Sequence, residues 1–151
     1  MVPTILIMGN LNRANEFFLK KKFNQSIIEY NEILKDDPQN LIALNNLGYV
    51  LSKLKKFNEA LVFYDKSLKI KPNDKIVLVN KISLFRKTGK IKDALEICNK
   101  MLESHPNEFI ILYHKLRLLK KSNMFKESNI ICNRILHIYP NNVEVRNELI
   151  K

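Results

Sequence analysis

The chain has 151 residues and a net charge of +11, from 26 Lys+Arg against 15 Asp+Glu; it is 46 % hydrophobic and 27 % charged. These figures fit one folded domain or a short repeat array and exclude a disordered chain. Two cysteines exclude a disulfide framework, and three glycines speak against a Gly-rich phosphate loop.

No apolar run approaches the roughly 18 residues of a membrane span. The N-terminal stretch lacks a basic region, and its apolar run, 5–8, is too short for a signal peptide. The expected location is therefore cytoplasmic. Lys outnumbers Arg 21 to 5, alongside 19 Asn and 18 Ile. An AT-rich coding sequence produces that bias, so part of the charge reflects composition.

In chain order, the first predicted helix begins at Pro3 or Thr4 and is weak at Gly9 and Asn10. The second, with Asn24 as its expected cap, ends before Pro38. Leu44, Leu47, Leu51 and Leu54 run at i, i+3, i+7, i+10 and predict a third helix, with a break at Lys55 and Lys56. Asn58 is the expected cap of the fourth, where Ala60, Leu61, Tyr64 and Leu68 resume helical spacing ahead of Pro72. Gly89 and Asn123 mark the breaks of the next two helix pairs, because both residue types accept a left-handed backbone. Pro106 and Pro140 close those pairs. Residues 143–151 start one more short helix, with Val145, Leu149 and Ile150 on one side.

Pro38, Pro72, Pro106 and Pro140 stand 34 residues apart, and a fixed period of this size marks a repeat architecture. The repeats are 7–40, 41–74, 75–108 and 109–142, and positions within a repeat are numbered here from 1 to 34. Position 28 is Leu34, Leu68, Leu102 and Leu136; position 17 is Phe23, Phe57, Ile91 and Phe125; position 20 is small throughout, as Ser26, Ala60, Ala94 and Ser128. Neither helix of a pair buries its apolar face alone, so stacking supplies the core.

The second repeat carries Leu44, Leu47, Gly48, Leu51, Phe57, Ala60, Tyr64, Leu68 and Pro72. In this pattern and its 34-residue period the chain resembles the tetratricopeptide repeat family over about nine-tenths of its length. The resemblance implies an all-α, right-handed α-solenoid of four helix-turn-helix repeats with a short C-terminal helix, as a single repeat domain over 1–151. Two positions depart from the pattern together. Position 8 reads Ala14, Gly48, Ile82 and Leu116, and position 24 reads Tyr30, Tyr64, Cys98 and Cys132. Small residues face large ones in the first two repeats and the order inverts in the last two, which predicts one packing contact per repeat. The cysteines are then small core residues, roughly 10 Å apart by helix-packing distance and too far apart to bridge.

Nothing in the sequence points to catalysis, a metal or a cofactor. His105, His114 and His137 lack ligand spacing, and no nucleophile motif stands out. The resemblance implies a protein–protein interaction scaffold whose first helices line a concave groove through positions 2, 5, 6 and 9. Position 6 reads Asn12, Asn46, Asn80 and His114. An amide has both a donor and an acceptor, so a row of them can hold a peptide backbone irrespective of its sequence. Around the row lie Asn15, Tyr49, Ser83 and Arg117 at position 9, Asn45 and Tyr113 at position 5, and an apolar rail of Met8, Ile42, Ile76 and Ile110 at position 2. The expected occupant is a peptide or a partner helix. The family's carboxylate clamp for chaperone C-termini is not expected: its asparagines are matched at Asn15, Asn46 and Asn80, but Leu11 and Ile76 stand where it needs cations.

An alternative reading rests on the turns between paired helices. Positions 12–18 hold Lys20, Lys21, Lys22, Lys53, Lys55, Lys56, Arg86, Lys87, Lys90, Lys92, Lys120, Lys121 and Lys126, which is half of all cations, with no acid among them. A Lys-rich edge of this kind suits nucleic acid or an anionic surface, or is simply a solvated edge at helix C-termini. At the C-terminal end an uncovered face near Ile130 and Ile131 offers a surface for self-association.

Overall fold

The computed structural model describes the backbone of residues 4–149 and the side chains of residues 9–149. Among the described residues there are nine helices and no strand: α1 (Thr4–Leu19), α2 (Phe23–Asp36), α3 (Leu41–Lys53), α4 (Phe57–Ile70), α5 (Lys75–Thr88), α6 (Ile91–Ser104), α7 (Phe109–Lys121), α8 (Phe125–Ile138) and α9 (Val143–Leu149). The chain divides into two compact units, Met1–Leu84 and Phe85–Lys151. In the first unit α1 packs on α2, α2 on α3 and α3 on α4; in the second α6 packs on α7, α7 on α8 and α8 on α9. The expected start at Thr4 is found, while Pro3, Ile150 and the side chain of Met8 lie outside the described residues.

Two local devices recur with the 34-residue period. The first ends each first helix. Position 15 has positive φ in all four repeats: Lys21 (56°), Lys55 (62°), Gly89 (78°) and Asn123 (57°). The next amide reaches back to the carbonyl of position 11, as in Lys22 N to Phe17 O at 2.8 Å, Lys56 N to Leu51 O at 2.9 Å, Lys90 N to Phe85 O at 2.9 Å and Met124 N to Leu119 O at 3.0 Å. This is the left-handed cap that satisfies the last carbonyls of a helix. Gly89 and Asn123 fill the expected role; Lys21 and Lys55 perform it against their side-chain preference.

The second device is the proline turn. The residues before the prolines, Asp37, Lys71, His105 and Tyr139, have φ between −134° and −127°, the extended backbone that a following proline imposes. Each carbonyl then accepts the amide three residues on, as in Asn40 N to Asp37 O at 3.1 Å and Asp74 N to Lys71 O at 3.2 Å. The turn delivers position 34 as the cap of the next helix. Asn40 Oδ1 accepts from Ala43 N at 3.0 Å, Asp74 Oδ1 from Ile76 N at 3.1 Å and Val77 N at 3.3 Å, and Asn142 Oδ1 from Val145 N at 2.9 Å. The expected caps Asn24 and Asn58 are corrected: they lie inside α2 and α4, whose N-cap residues are Lys22 and Lys56. Those helices start straight out of the left-handed cap, which leaves no room for a capping side chain further on.

The core follows the repeated apolar positions. The paired substitution at positions 8 and 24 is explicit in the second repeat. A Cβ on Gly48 would stand 2.7 Å from Tyr64 Cε1 and 3.2 Å from the Ala60 carbonyl, so this helix pair closes only because position 8 has no side chain. Ala14 and Tyr30 are buried in the first repeat, as are Leu116 and Cys132 in the last. Ser26 Oγ donates to the Ala14 carbonyl at 2.9 Å, using the small position 20 to bring α2 against α1. Cys98 is fully buried and burial pushes its thiol up to about 12, the state of an inert core residue. At the C-terminal end, Val145 of α9 is fully buried, and Ile131 is buried while Ile130 is 66 % exposed. Of the two residues expected to stay uncovered there, Ile130 is exposed and Ile131 is not.

Candidate functional site

In the first unit the amides are joined to one another. Asn80 Nδ2 donates to Asn45 Oδ1 at 2.9 Å, Asn45 Nδ2 to Asn46 Oδ1 at 3.2 Å, and Asn46 Nδ2 to Asn15 Oδ1 at 3.1 Å. Asn15 Oδ1 also accepts from the Tyr30 hydroxyl. One continuous chain of side-chain hydrogen bonds thus crosses α5, α3 and α1 on a single surface and ends on a buried tyrosine of α2. All four amides are half-buried. Each donating amide commits one N–H to the chain and keeps the other, so the row is pre-aligned and retains donors for a ligand. Asn12, expected in this row, is exposed on α1 and takes no part in the chain.

Beside the amide chain is an open cavity of about 290 Å³, lined by Asn15, Phe18, Leu19, Tyr30, Asn46, Tyr49 and Val50. Its wall is aromatic: the Phe18 ring lies 5.5 Å from Tyr49 and 5.8 Å from Phe23. Lys53 Nζ sits 5.1 Å from the centre of the Tyr49 ring, which puts a cation at that ring. Phe18, Leu19 and Val50 are site residues that sequence reasoning missed, because an apolar helical position reads as core whether it is filled or open. The position 2 residues Ile42 and Ile76 are 56 % and 66 % exposed, so the apolar rail is surface there.

The second unit presents different chemistry. Tyr113 and His114 are half-buried on α7, and Arg117 is exposed one turn further on. Arg117 Nη1 donates to the Tyr113 hydroxyl at 3.1 Å, and that hydroxyl donates to a Glu144 carboxylate oxygen on α9. Burial, then Arg86, then Arg117, hold His114 below the usual imidazole range, so it is neutral near pH 7. Ser83 is half-buried on α5, in the first unit. Among the described residues no group of three or more His, Cys, Asp and Glu comes together as metal ligands.

The second repeat matches the family model of the tetratricopeptide repeat over residues 42–74. No curated protein matches the chain in sequence. Solved structures do. A tetratricopeptide repeat protein from Parabacteroides merdae superposes with a TM-score of 0.84 at 22 % identity, covering 93 % of this chain and 56 % of its own. The chain therefore spans little more than half the length of that relative. MamA from Desulfovibrio magneticus gives 0.82 at 15 % identity over 95 % and 81 %. YrrB, described as a TPR protein with an unusual peptide-binding site, gives 0.79 at 15 % identity over 94 % and 73 %.

The fold is the tetratricopeptide repeat fold.

Within the tetratricopeptide pattern, the amide chain occupies positions 5, 6 and 9 of the first helices, where the resemblance implies a ligand groove. The Lys-rich positions 12–18 belong to the turns. There Lys20 pairs with Glu16, Lys56 with Glu59 at 3.3 Å and Lys120 with Glu148 at 2.5 Å, while Lys90 Nζ lies 5.8 Å from the centre of the Phe85 ring. The acids come from outside the window, one helical turn away or from α9. They divert part of the charge that the sequence leaves unopposed. No helix among the described residues is long and apolar enough to cross a membrane.

Proposed function

We propose that the chain is a non-enzymatic scaffold that binds an extended peptide along the first helices of its repeats. The amide chain Asn80–Asn45–Asn46–Asn15 carries this reading. Each donating amide has a second N–H beyond the one the chain uses, and a row of amides suits the repeating C=O groups of an extended backbone. The cavity beside Asn15 and Asn46 takes one apolar side chain of that peptide, against Phe18, Leu19 and Tyr49. Tyr49 and Ser83 add specificity in the first unit, and Tyr113, His114 and Arg117 form a candidate contact surface of the second unit by itself. The peptide-binding description of YrrB is consistent with this role. A cytoplasmic setting and self-association through the Ile130 end belong to the same proposal.

The test begins with selection of a binder from a random peptide display library. Asn46→Ala and Asn80→Ala should each weaken its affinity by about tenfold, the effect of losing roughly one hydrogen bond with its alignment. The thermal melt should be essentially unchanged, since both amides are only half-buried. Unchanged affinity in both variants would overturn the reading.

A further inference from the structure

We infer that Arg86, His114 and Arg117 form a second subsite that binds an oxyanion, a carboxylate or phosphate group carried by a partner peptide. The inference rests on the peptide-binding reading and names the chemistry of the second unit's own surface.

Arg86 lies near the end of α5 and, with α7, within the second unit. Its side chain is half-buried, and its Nε–H is buried with no acceptor. No carboxylate among the described residues pairs with it. A guanidinium presents its donors as a planar fork that matches a carboxylate or phosphate side-on, and the Nε–H of this fork has no acceptor of its own. His114 is close enough to feel both Arg86 and Arg117 and stays neutral between them. Its ring N–H is a third donor, and an arriving anion would favour its charged form.

The neighbouring charges agree. Lys121 Nζ donates to the Arg86 carbonyl, which places an ammonium at the same helix end. The acids nearest Arg117 are Glu144 and Glu148 of α9, and both are engaged, Glu144 by Tyr113 and Glu148 by Lys120. Tyr113 holds Arg117 both by its hydroxyl and by its ring face, 5.8 Å from the guanidinium carbon. Arg117 is therefore oriented by a neutral partner, and neither guanidinium is neutralised by an ion pair among the described residues. Arg86 occupies position 12, outside the positions of the carboxylate clamp, so the absence of that clamp leaves this subsite untouched.

The test titrates the isotope-labelled full chain with three blocked pentapeptides, acetyl-Ala-Ala-X-Ala-Ala-amide, where X is glutamate, phosphoserine or glutamine. The readouts are the Arg86 and Arg117 Nε–Hε signals and the His114 ring signals by NMR. The glutamate or phosphoserine peptide should shift the Arg86 and His114 signals saturably, and the glutamine peptide should not. The lower half-saturation point tells carboxylate from phosphate. Arg86→Gln should raise that point by about tenfold. Arg86→Lys, which keeps the charge but loses the fork, should fall between. No saturable shift with either anionic peptide, or equal shifts with glutamine, would overturn the inference. The outcomes separate from those of the groove test. Loss of anion binding with an intact dependence on Asn46 removes this subsite alone, and the converse removes the groove reading alone.

Discussion

Gly48 shows how narrowly one residue can set the approach of two helices. Alanine is the better helix former by about 1 kcal/mol, so propensity alone predicts that Gly48→Ala stabilises α3. The Tyr64 ring standing 2.7 Å from the new methyl predicts the opposite, because that ring is itself buried and the Ala60 carbonyl stands 3.2 Å from the same methyl. Overpacking of this kind costs about 1–3 kcal/mol and outweighs the propensity gain. Gly48→Ala should therefore lower the unfolding free energy by a net amount of about 1 kcal/mol, read as a lower urea midpoint. Gly48→Leu combined with Tyr64→Cys, the residue types at Leu116 and Cys132, should be less destabilising than Gly48→Leu alone. This contact was legible in the sequence, because positions 8 and 24 vary in opposite directions. The amide chain was not. Sequence placed Asn15, Asn46 and Asn80 at groove positions, but only coordinates show that they bond to one another through Asn45. Arg86 was half hidden: it is the one arginine among thirteen turn cations, but nothing in the sequence shows that its Nε–H is buried without an acceptor.

Helix ends were legible where the residue type and the backbone agree. Gly89 and Asn123 reveal the left-handed position directly, and the prolines reveal the turns. Lys21 and Lys55 conceal the same conformation, because lysine carries no left-handed signal and reads as part of a charge run. The cap at position 34 was missed because the asparagines inside α2 and α4 looked equally suitable, and composition offers nineteen candidates. A lysine at positive φ pays a Cβ–carbonyl clash of about 1–2 kcal/mol that glycine avoids, less the extra freedom glycine gains in the unfolded chain. Lys55→Gly should accordingly stabilise the chain by about 0.5–1 kcal/mol in urea or thermal unfolding. Lys55 is exposed and makes no side-chain bond that would be lost. Lys53→Gly, in helical conformation two residues earlier, is the control and should destabilise by a similar amount.

At the scale of the whole molecule, the +11 charge opposes association between copies, while exposed apolar side chains in the second unit favour it. Ile130 and Phe125 are 66 % and 60 % exposed on α8. Salt screens the repulsion within roughly 10 Å at 0.1 M and leaves apolar contact intact. Light scattering should thus report a larger mean mass at high ionic strength than at low, and Ile130→Lys should abolish the difference. A mass independent of salt at high protein concentration would remove self-association from the proposal.

The proline turn has a consequence for how such a chain changes length. The residue that leaves one repeat is the cap of the next, and Asn40 and Asp74 do the same work in the same turn. Removal of 41–74 would set Asn40 directly before Lys75, joining a known cap to a known helix start with no new backbone geometry at the seam. Deletions of any other length would separate a cap from its helix or a left-handed residue from the carbonyls it serves. The period therefore acts as a reading frame for duplication and loss, in which whole units of 34 are locally silent edits and every other length is a frameshift of structure.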